Sequence, residues 1–157
     1  GEKIRAGEMT YLGLDPDQRA LERLRGRDFP GDLRAGCVET LEGAAGAYDH
    51  VLALRTVNHV EVLLRALAVM SRALRPGGEL LLSDMTVYGL LRTPDQVKLA
   101  DAQGHSQEHH HNLNGAEVLQ LLADLPLELM EQRPVTRETS NEWFLWLRRQ
   151  PDEGGAQ

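Results

Sequence analysis

Short apolar runs alternate with helix-forming stretches along most of this chain, and this alternation is the strongest constraint on its fold. The clearest runs are residues 48–54 (YDHVLAL) and 79–83 (ELLLS), which are continuous enough for strands buried on both faces. Between them, apolar residues recur at helical spacing from Asn58 until residues 75–78 (RPGG), where proline and glycine end the helix. Because parallel strands need helical crossovers, the pattern predicts βαβ units around a parallel sheet.

The remaining segments complete a predicted element order of β-α-β-β-α-β-α-β-β. They are strands at 11–14, 33–38, 127–131 and 142–147, a helix that begins around Asp15-Pro16-Asp17, and a helix at 115–124 with Asn114 as its cap. We expect the last two strands to be antiparallel. The predicted fold class is therefore α/β, with a Rossmann-like doubly wound, mostly parallel sheet and an antiparallel C-terminal strand pair.

Composition excludes several classes of protein. The chain has 157 residues and a net charge of -7, which disfavours a broad basic face for nucleic acid. Its longest apolar runs are too short to span a bilayer, and its first residues do not resemble a secretory signal. The single cysteine, Cys37, has no partner for an internal disulfide, which is typical of a reducing compartment. We expect a cytoplasmic protein that acts without a membrane.

Three segments together resemble class I S-adenosylmethionine-dependent methyltransferases, from the second strand of that fold onward. Residues 11–15 (YLGLD) are similar to the second strand, which ends in an acidic residue that binds the ribose. Residues 36–41 (GCVETL) and 48–52 (YDHVL) are similar to the adenine-side loop and the fourth strand. Residues 74–82 (LRPGGELLL) are similar to the turn into the fifth strand. The resemblance implies a methyltransferase-like domain over residues 1–149, followed by a flexible tail at 150–157, with S-adenosylmethionine as cofactor.

The resemblance also implies cofactor-binding positions at the strand ends, namely Asp15, Pro16, Cys37, Val38, Glu39, Leu54 and Arg55. The Asp15 carboxylate would accept hydrogen bonds from both ribose hydroxyls, and the alternative is a plain helix cap. Cys37 stands where the family often has an acidic residue for the adenine amino group. Adenine contact would then come from the Val38 backbone and Glu39, and the alternative for Cys37 is a small buried apolar side chain.

The chain departs from the family at the glycine-rich first loop, because Gly-x-Gly occurs nowhere in it. Gly1-Glu2-Lys3 would lie just after that loop. We therefore expect an upstream segment or domain to supply the missing first strand. By itself the chain is expected to bind the cofactor weakly and to expose an unpaired strand edge.

The resemblance places acceptor chemistry after the strand at 48–54. Arg55 would hold an anionic substrate, Asn58 would orient a hydroxyl or amine, and His59 would act as the base. The alternative is that Asn58 caps the next helix and His59 fills its first turn. Asp84 and Tyr88, after the following strand, are further substrate-binding candidates.

Four of the six histidines lie within residues 105–112 (HSQEHHHN). The family uses the segment after its fifth strand for acceptor binding, so this stretch is interpreted as a lid on which His109 or His110 acts as base or hydrogen-bond partner. A metal site and a solvated polar loop are the alternatives, and no metal is assigned. Trp143 and Trp146 are three residues apart and should face opposite sides of a strand.

These observations favour methyl transfer to a small-molecule or sugar acceptor through oxygen or nitrogen. An RNA-directed enzyme is an alternative, since residues 1–3 and 6–8 faintly resemble cap guanine-N7 methyltransferases. A catalytically silent, methyltransferase-like binding module is the other alternative, because the glycine loop is missing and Cys37 replaces an acidic residue.

Overall fold

A computed structural model describes residues 1–41, 43–86, 102, 110–135 and 141–151. The chain divides into two compact units, Gly1–Gly43 and Ala44–Gln157, which are described separately below. A single domain over residues 1–149 stays a prediction. Residues 152–157 of the predicted tail lie outside the described residues. None of the described helices is long and apolar enough to cross a membrane.

The first unit is a parallel two-stranded βαβ motif. Its elements are α1 (Glu2–Arg5), β1 (Leu12–Asp15), α2 (Gln18–Arg25) and β2 (Asp32–Ala35), followed by a short 3₁₀ helix at Val38–Thr40. The register of the two strands runs from Leu12 opposite Asp32 to Asp15 opposite Ala35. Leu21 of α2 and Leu33 of β2 are buried, so the helix covers one face of the strand pair. Because β1 and β2 are parallel, their carboxyl ends, at Asp15 and Ala35, lie side by side at the same edge of the strand pair.

The second unit is built on a mixed four-stranded sheet. Its elements are β3 (Tyr48–Leu54), a 3₁₀ helix at Val57–His59, α3 (Leu63–Ala73), β4 (Leu74–Met85), α4 (Gly115–Leu121), β5 (Leu127–Arg133) and β6 (Glu142–Arg149). The strand order is β3-β4-β6-β5, with β3 parallel to β4 and β6 antiparallel to both of its neighbours. The predicted α/β class and antiparallel C-terminal pair are confirmed. β6 inserts between β4 and β5, which makes this sheet mixed.

One face of the second sheet forms the core. Alternate residues of β4 and β6 have at most 1% of their surface exposed: Leu80, Leu82, Trp143, Leu145 and Leu147. α3 contributes its own buried stripe to the same unit, which includes Leu63 and Leu67. α4 packs closely through Gly115, since a Cβ there would meet Trp143 and Leu145 at 3.6 Å. The two tryptophans face opposite sides as predicted, because Trp146 is only half-buried.

The boundaries of α3 and β4 differ from the sequence-based expectation. α3 begins at Leu63 rather than near Asn58, because residues 57–59 form a separate 3₁₀ helix. β4 begins at Leu74, so it includes the Arg-Pro-Gly-Gly turn that we expected to precede it. Gly77 takes a φ of 77°, and a Cβ on Gly78 would lie 3.1 Å from the Asp49 carbonyl oxygen. Glycine at both positions lets the turn lie against β3.

An exposed ion pair joins the beginning of β3 to this turn and provides a test of the register. Arg75 Nε donates to Asp49 Oδ1 at 2.6 Å. The Arg75 guanidinium holds the pKa of the Asp49 carboxyl below its ordinary value of 3.8. The pair therefore stabilises the fold above the unfolded-state pKa of the carboxyl, and this contribution is lost as the pH falls through the lowered folded-state pKa.

We expect an NMR titration of the Asp49 side chain to give a pKa below 3.8, and Arg75→Gln to return it toward that value. The exposed pair Arg133 and Glu131 gives a matched control, because Arg133→Gln should leave the Asp49 titration unchanged. An Asp49 carboxyl that titrates at its ordinary value in the unmodified protein would contradict this placement of the turn.

Candidate functional site

The carboxyl end of β1 carries Asp15, which is half-buried. Its Oδ1 accepts a hydrogen bond from the Asp17 backbone nitrogen at 2.8 Å. Asp17, not Asp15, caps α2, because its side chain accepts from the Arg19 nitrogen at 2.8 Å. The helix-cap alternative for Asp15 is therefore wrong. Asp15 Oδ2 has no hydrogen-bond partner within the described part of the chain, so it is available to a ligand.

A small pocket opens beside the carboxyl end of β2 in the same unit. Its volume is about 210 Å³, and it is lined by Leu14, Arg34, Ala35, Gly36, Cys37, Thr40 and Leu41. The 3₁₀ helix after β2 is fixed at its start, since Thr40 donates to the Cys37 carbonyl oxygen from its nitrogen at 3.1 Å and from Oγ1 at 2.8 Å. Complete ligand sites usually have volumes of about 300–1,000 Å³, so this pocket suits part of a ligand, such as one flat ring system.

The first unit brings most of the predicted cofactor residues together. Asp15 lies in register with Ala35 of the pocket wall, and its carbonyl oxygen accepts from the Gly36 nitrogen at 3.2 Å. Cys37 lines the pocket and is exposed, so the expectation of a buried apolar role for its thiol is wrong. Two further predicted positions, Val38 and Glu39, are half-buried in the adjoining 3₁₀ helix, and Pro16 is exposed after β1.

The carboxyl end of β3 presents two more predicted residues in the second unit. Leu54 is 55% exposed. Arg55 follows it with a φ of 54°, a left-handed backbone conformation that is uncommon outside glycine. The Arg55 nitrogen donates to the Ser83 carbonyl oxygen at 2.6 Å, which holds this turn against β4, while its side chain remains exposed. Arg55 is thus available to an anionic group at the strand end.

Asn58 is 1% exposed and uses all four of its polar atoms within the protein. Its backbone nitrogen donates to Asp84 Oδ2 at 2.9 Å, and its Nδ2 donates to the Met85 carbonyl oxygen at 3.1 Å. Its Oδ1 accepts from the Leu113 nitrogen at 2.9 Å, and its carbonyl oxygen accepts from the nitrogens of His110 and His111. The helix-cap alternative is wrong, because α3 begins at Leu63.

Asp84, near the end of β4, is the acidic residue that binds the Asn58 backbone nitrogen. It is 4% exposed, with Oδ2 bonded to the Asn58 nitrogen and Oδ1 bonded to the Met85 nitrogen at 2.8 Å. A buried carboxylate whose two oxygens each accept from a backbone amide is already satisfied. The geometry therefore corrects the sequence-based expectation, and Asp84 anchors backbone instead of offering a free carboxylate to a substrate.

Two of the predicted catalytic histidines flank Asn58. His59 is exposed at the end of the 3₁₀ helix, so the alternative that it fills the first turn of α3 is wrong. His110 is half-buried, and its backbone nitrogen donates to the Asn58 carbonyl oxygen at 2.9 Å. The third, His109, and the substrate candidate Tyr88 lie outside the described residues.

Sequence reasoning missed the residues that hold the segment 110–113 in place. The indole nitrogen of Trp143 donates to the Leu113 carbonyl oxygen at 3.0 Å. His111 donates its backbone nitrogen to Asn58 at 3.1 Å, and its ring Nε2 is buried without a hydrogen-bond partner among the described residues. No local pattern signals these contacts, because the paired residues are distant in sequence. Within the described ranges, no group of three or more His, Cys, Asp or Glu residues is placed to hold a metal ion.

Residues 2–82 of the chain match the model of a family described as "Methyltransferase domain". A curated relative, the tRNA U34 carboxymethyltransferase of Cellvibrio japonicus (strain Ueda107), is 29% identical over 90 residues. That match covers 54% of this chain and 28% of the relative, so the chain spans about a quarter of the relative's length.

Solved structures share the fold at low sequence identity. A SAM-dependent methyltransferase from Methanosarcina mazei matches with a TM-score of 0.70 and 15% identity, covering 96% of this chain and 86% of that one. A putative methyltransferase in complex with the Haloferax volcanii Trm112 activator matches with a TM-score of 0.68 and 15% identity, covering 90% of this chain and 73% of that one. At this identity, the likeness shows the fold alone.

Proposed function

We propose that this chain, which belongs to the methyltransferase-domain family, transfers a methyl group from S-adenosylmethionine to a small-molecule or sugar acceptor through oxygen or nitrogen. The single observation that carries the proposal is the placement of Asp15 at the end of β1. Asp15 does not cap α2, and it lies in register with the wall of the 210 Å³ pocket. In open α/β sheets, ligands bind beyond the carboxyl ends of the strands.

The residues of the first unit fit the nucleoside part of the cofactor. Asp15 Oδ2 would accept from a ribose hydroxyl, a charge-assisted bond that is selective in geometry. The pocket beside it is lined by apolar Leu14 and Leu41 and by residues 35–37, which suits a flat adenine ring. The exposed thiol of Cys37 is a weak hydrogen-bonding group, so Val38 and Glu39 would make the polar adenine contacts.

The acceptor would meet the residues at the end of β3 in the second unit. The bound cofactor supplies an electrophilic methyl group, so the protein has only to align the acceptor and, where needed, remove its proton. Exposed Arg55 is suited to an anionic group on the acceptor. His59 and His110, on either side of Asn58, are the described candidates for the base.

A radiometric transfer assay separates this proposal from the alternatives. The chain is incubated with millimolar tritiated S-adenosylmethionine and either a panel of small phenols, sugars and amines or bulk tRNA. Millimolar cofactor offsets weak binding, since occupancy depends on its concentration relative to Kd. We expect label in small compounds. Label only in tRNA, lost steeply as salt rises, would overturn the small-acceptor proposal. No label in any acceptor would favour a silent binding module.

RNA remains the second candidate function because a curated relative is named as a tRNA U34 carboxymethyltransferase. The net charge of -7 counts against it, since RNA backbone binding depends on lysine and arginine neutralising phosphates. The relative is matched over only 28% of its length, so its substrate does not transfer to this chain without the assay above.

We expect His110→Ala to lower kcat by about a hundredfold, the lower range for loss of a positioned acid or base, while the Kd of S-adenosylhomocysteine stays unchanged. The matched control is His50→Ala, because His50 lies at the opposite end of β3 with 60% of its side chain exposed. Turnover by His110→Ala equal to that of the unmodified chain would remove His110 from the mechanism.

A further inference from the structure

Asn58 occupies a position where three separate stretches of the second unit meet. Its backbone nitrogen and Nδ2 bind the end of β4, at Asp84 and Met85. Its carbonyl oxygen accepts from His110 at 2.9 Å and His111 at 3.1 Å, and its Oδ1 accepts from Leu113 at 2.9 Å. Residues 110–113, called the strap below, are thus tied by three hydrogen bonds to Asn58 in the 3₁₀ helix after β3.

The strap has a second attachment on its other side. The Trp143 indole nitrogen donates to the Leu113 carbonyl oxygen, and Asn114, the next residue, caps α4 in a capping box with Glu117. The strap therefore lies between a fixed helix start and the buried Asn58. Asn58 connects the strap to the end of β4, because it is bonded both to Asp84 and Met85 and to three residues of the strap.

We infer that Asn58 is a positioning residue of the acceptor site, which holds the strap, and with it His110, against the carboxyl end of β4. This inference rests on the proposed function, since it concerns the acceptor side of the same reaction. Asn58 itself does not reach the acceptor. It is 1% exposed and all four of its polar atoms are bonded within the protein.

The side chain of Asn58 can be changed in two ways that separate its contacts. Asn58→Ala removes both side-chain hydrogen bonds, to Met85 and to Leu113. Asn58→Asp keeps an oxygen for the Leu113 nitrogen. It lacks the Nδ2 donor to the Met85 carbonyl oxygen, so it isolates the side-chain bond to the strap. The aspartate variant is thus the conservative partner that should restore the strap.

The variants are compared in the transfer assay at millimolar S-adenosylmethionine, with the panel compound that the unmodified chain methylates fastest. We expect Asn58→Ala to lower kcat by about a hundredfold, as for an ångström-scale misplacement, without changing the KM for S-adenosylmethionine. Asn58→Asp should restore most of kcat. A matched control is Val118→Ala, which destabilises buried α4 packing without touching these hydrogen bonds and should leave both parameters unchanged.

Each outcome decides the inference. Equal losses in Asn58→Ala and Asn58→Asp would mean that the bond from the Leu113 nitrogen to residue 58 does not sustain turnover, which overturns the positioning role. Unchanged kcat in Asn58→Ala overturns it as well. If the unmodified chain methylates no panel compound, both the proposed function and this inference are overturned. If the unmodified chain and the Asn58→Ala variant are equally active, only this inference is overturned.

If both variants fail to fold, hydrogen exchange in the unmodified chain still decides. The amides of His110, His111 and Leu113 should be strongly protected, because each donates to Asn58. Exchange of these amides at the rate of an unstructured peptide would show that the strap is not held, and would overturn the inference.

Discussion

Asp15→Ala is expected to weaken S-adenosylhomocysteine binding by roughly ten- to a hundredfold, the loss of one hydrogen bond to a charged group, about 1.5–3 kcal/mol. The effect should be large because the fold leaves Asp15 Oδ2 without a hydrogen-bond partner in the described part of the chain, at the end of β1. Since the chain carries no Gly-x-Gly loop, the measurement uses an extended protein, defined as this chain with the family's first strand and glycine-rich loop fused before Gly1.

Asp17→Asn is the matched control for this prediction. It removes one negative charge two residues away, and asparagine caps helices as well as aspartate does. Calorimetry should therefore give the same S-adenosylhomocysteine affinity for this variant as for the extended protein. Unchanged affinity in Asp15→Ala, or equal losses in both variants, would contradict the assignment of Asp15 to the ribose.

Trp143→Ala is expected to lower the free energy of unfolding by about 3–5 kcal/mol, which is typical of deleting a large buried aromatic side chain. Trp143 is 0% exposed, lies opposite Asp84 on β4, and packs on Gly115 of α4. Urea unfolding measures the loss. Trp143→Phe keeps an aromatic ring but loses the hydrogen bond to the Leu113 carbonyl oxygen. We expect this lost bond to lower the free energy of unfolding by about 1 kcal/mol, in addition to the effect of the smaller side chain.

Trp146→Ala provides the comparison, because Trp146 lies on the other face of β6 and is only half-buried. We expect it to cost clearly less than Trp143→Ala. If the two alanine variants lost the same free energy of unfolding, the core would not lie on the face of the sheet that the structure indicates.

The fold was predictable from the sequence where local pattern is sufficient. The continuous apolar run at 48–54 became β3 with the predicted bounds. The spacing of the two tryptophans on β6 predicted that they face opposite sides, and the structure shows that Trp143 is the one in the core. Asn114 was recognisable as a helix cap because the capping box is a local motif. These features could be predicted because each depends on residues of a single helical turn or a single strand.

The candidate site was predictable only in part, because its main contacts are long-range. Asp15 could be placed at a strand end, but only the structure shows that Asp17 is the cap of α2. Asn58 resembled a helix cap, whereas its partners Asp84 and Leu113 lie 26 and 55 residues away. Cys37 resembled a core residue because free cysteines are usually buried, and the turn after β2 exposes it.

Binding of S-adenosylhomocysteine, measured by calorimetry in this chain and in the extended protein, tests the central claim most directly. We expect saturable one-to-one binding by the extended protein and weak binding by the chain alone, because the family's glycine-rich loop lets the backbone approach the cofactor. Absence of binding by both proteins would contradict a cofactor site at Asp15 and would leave a methyltransferase fold that serves another purpose.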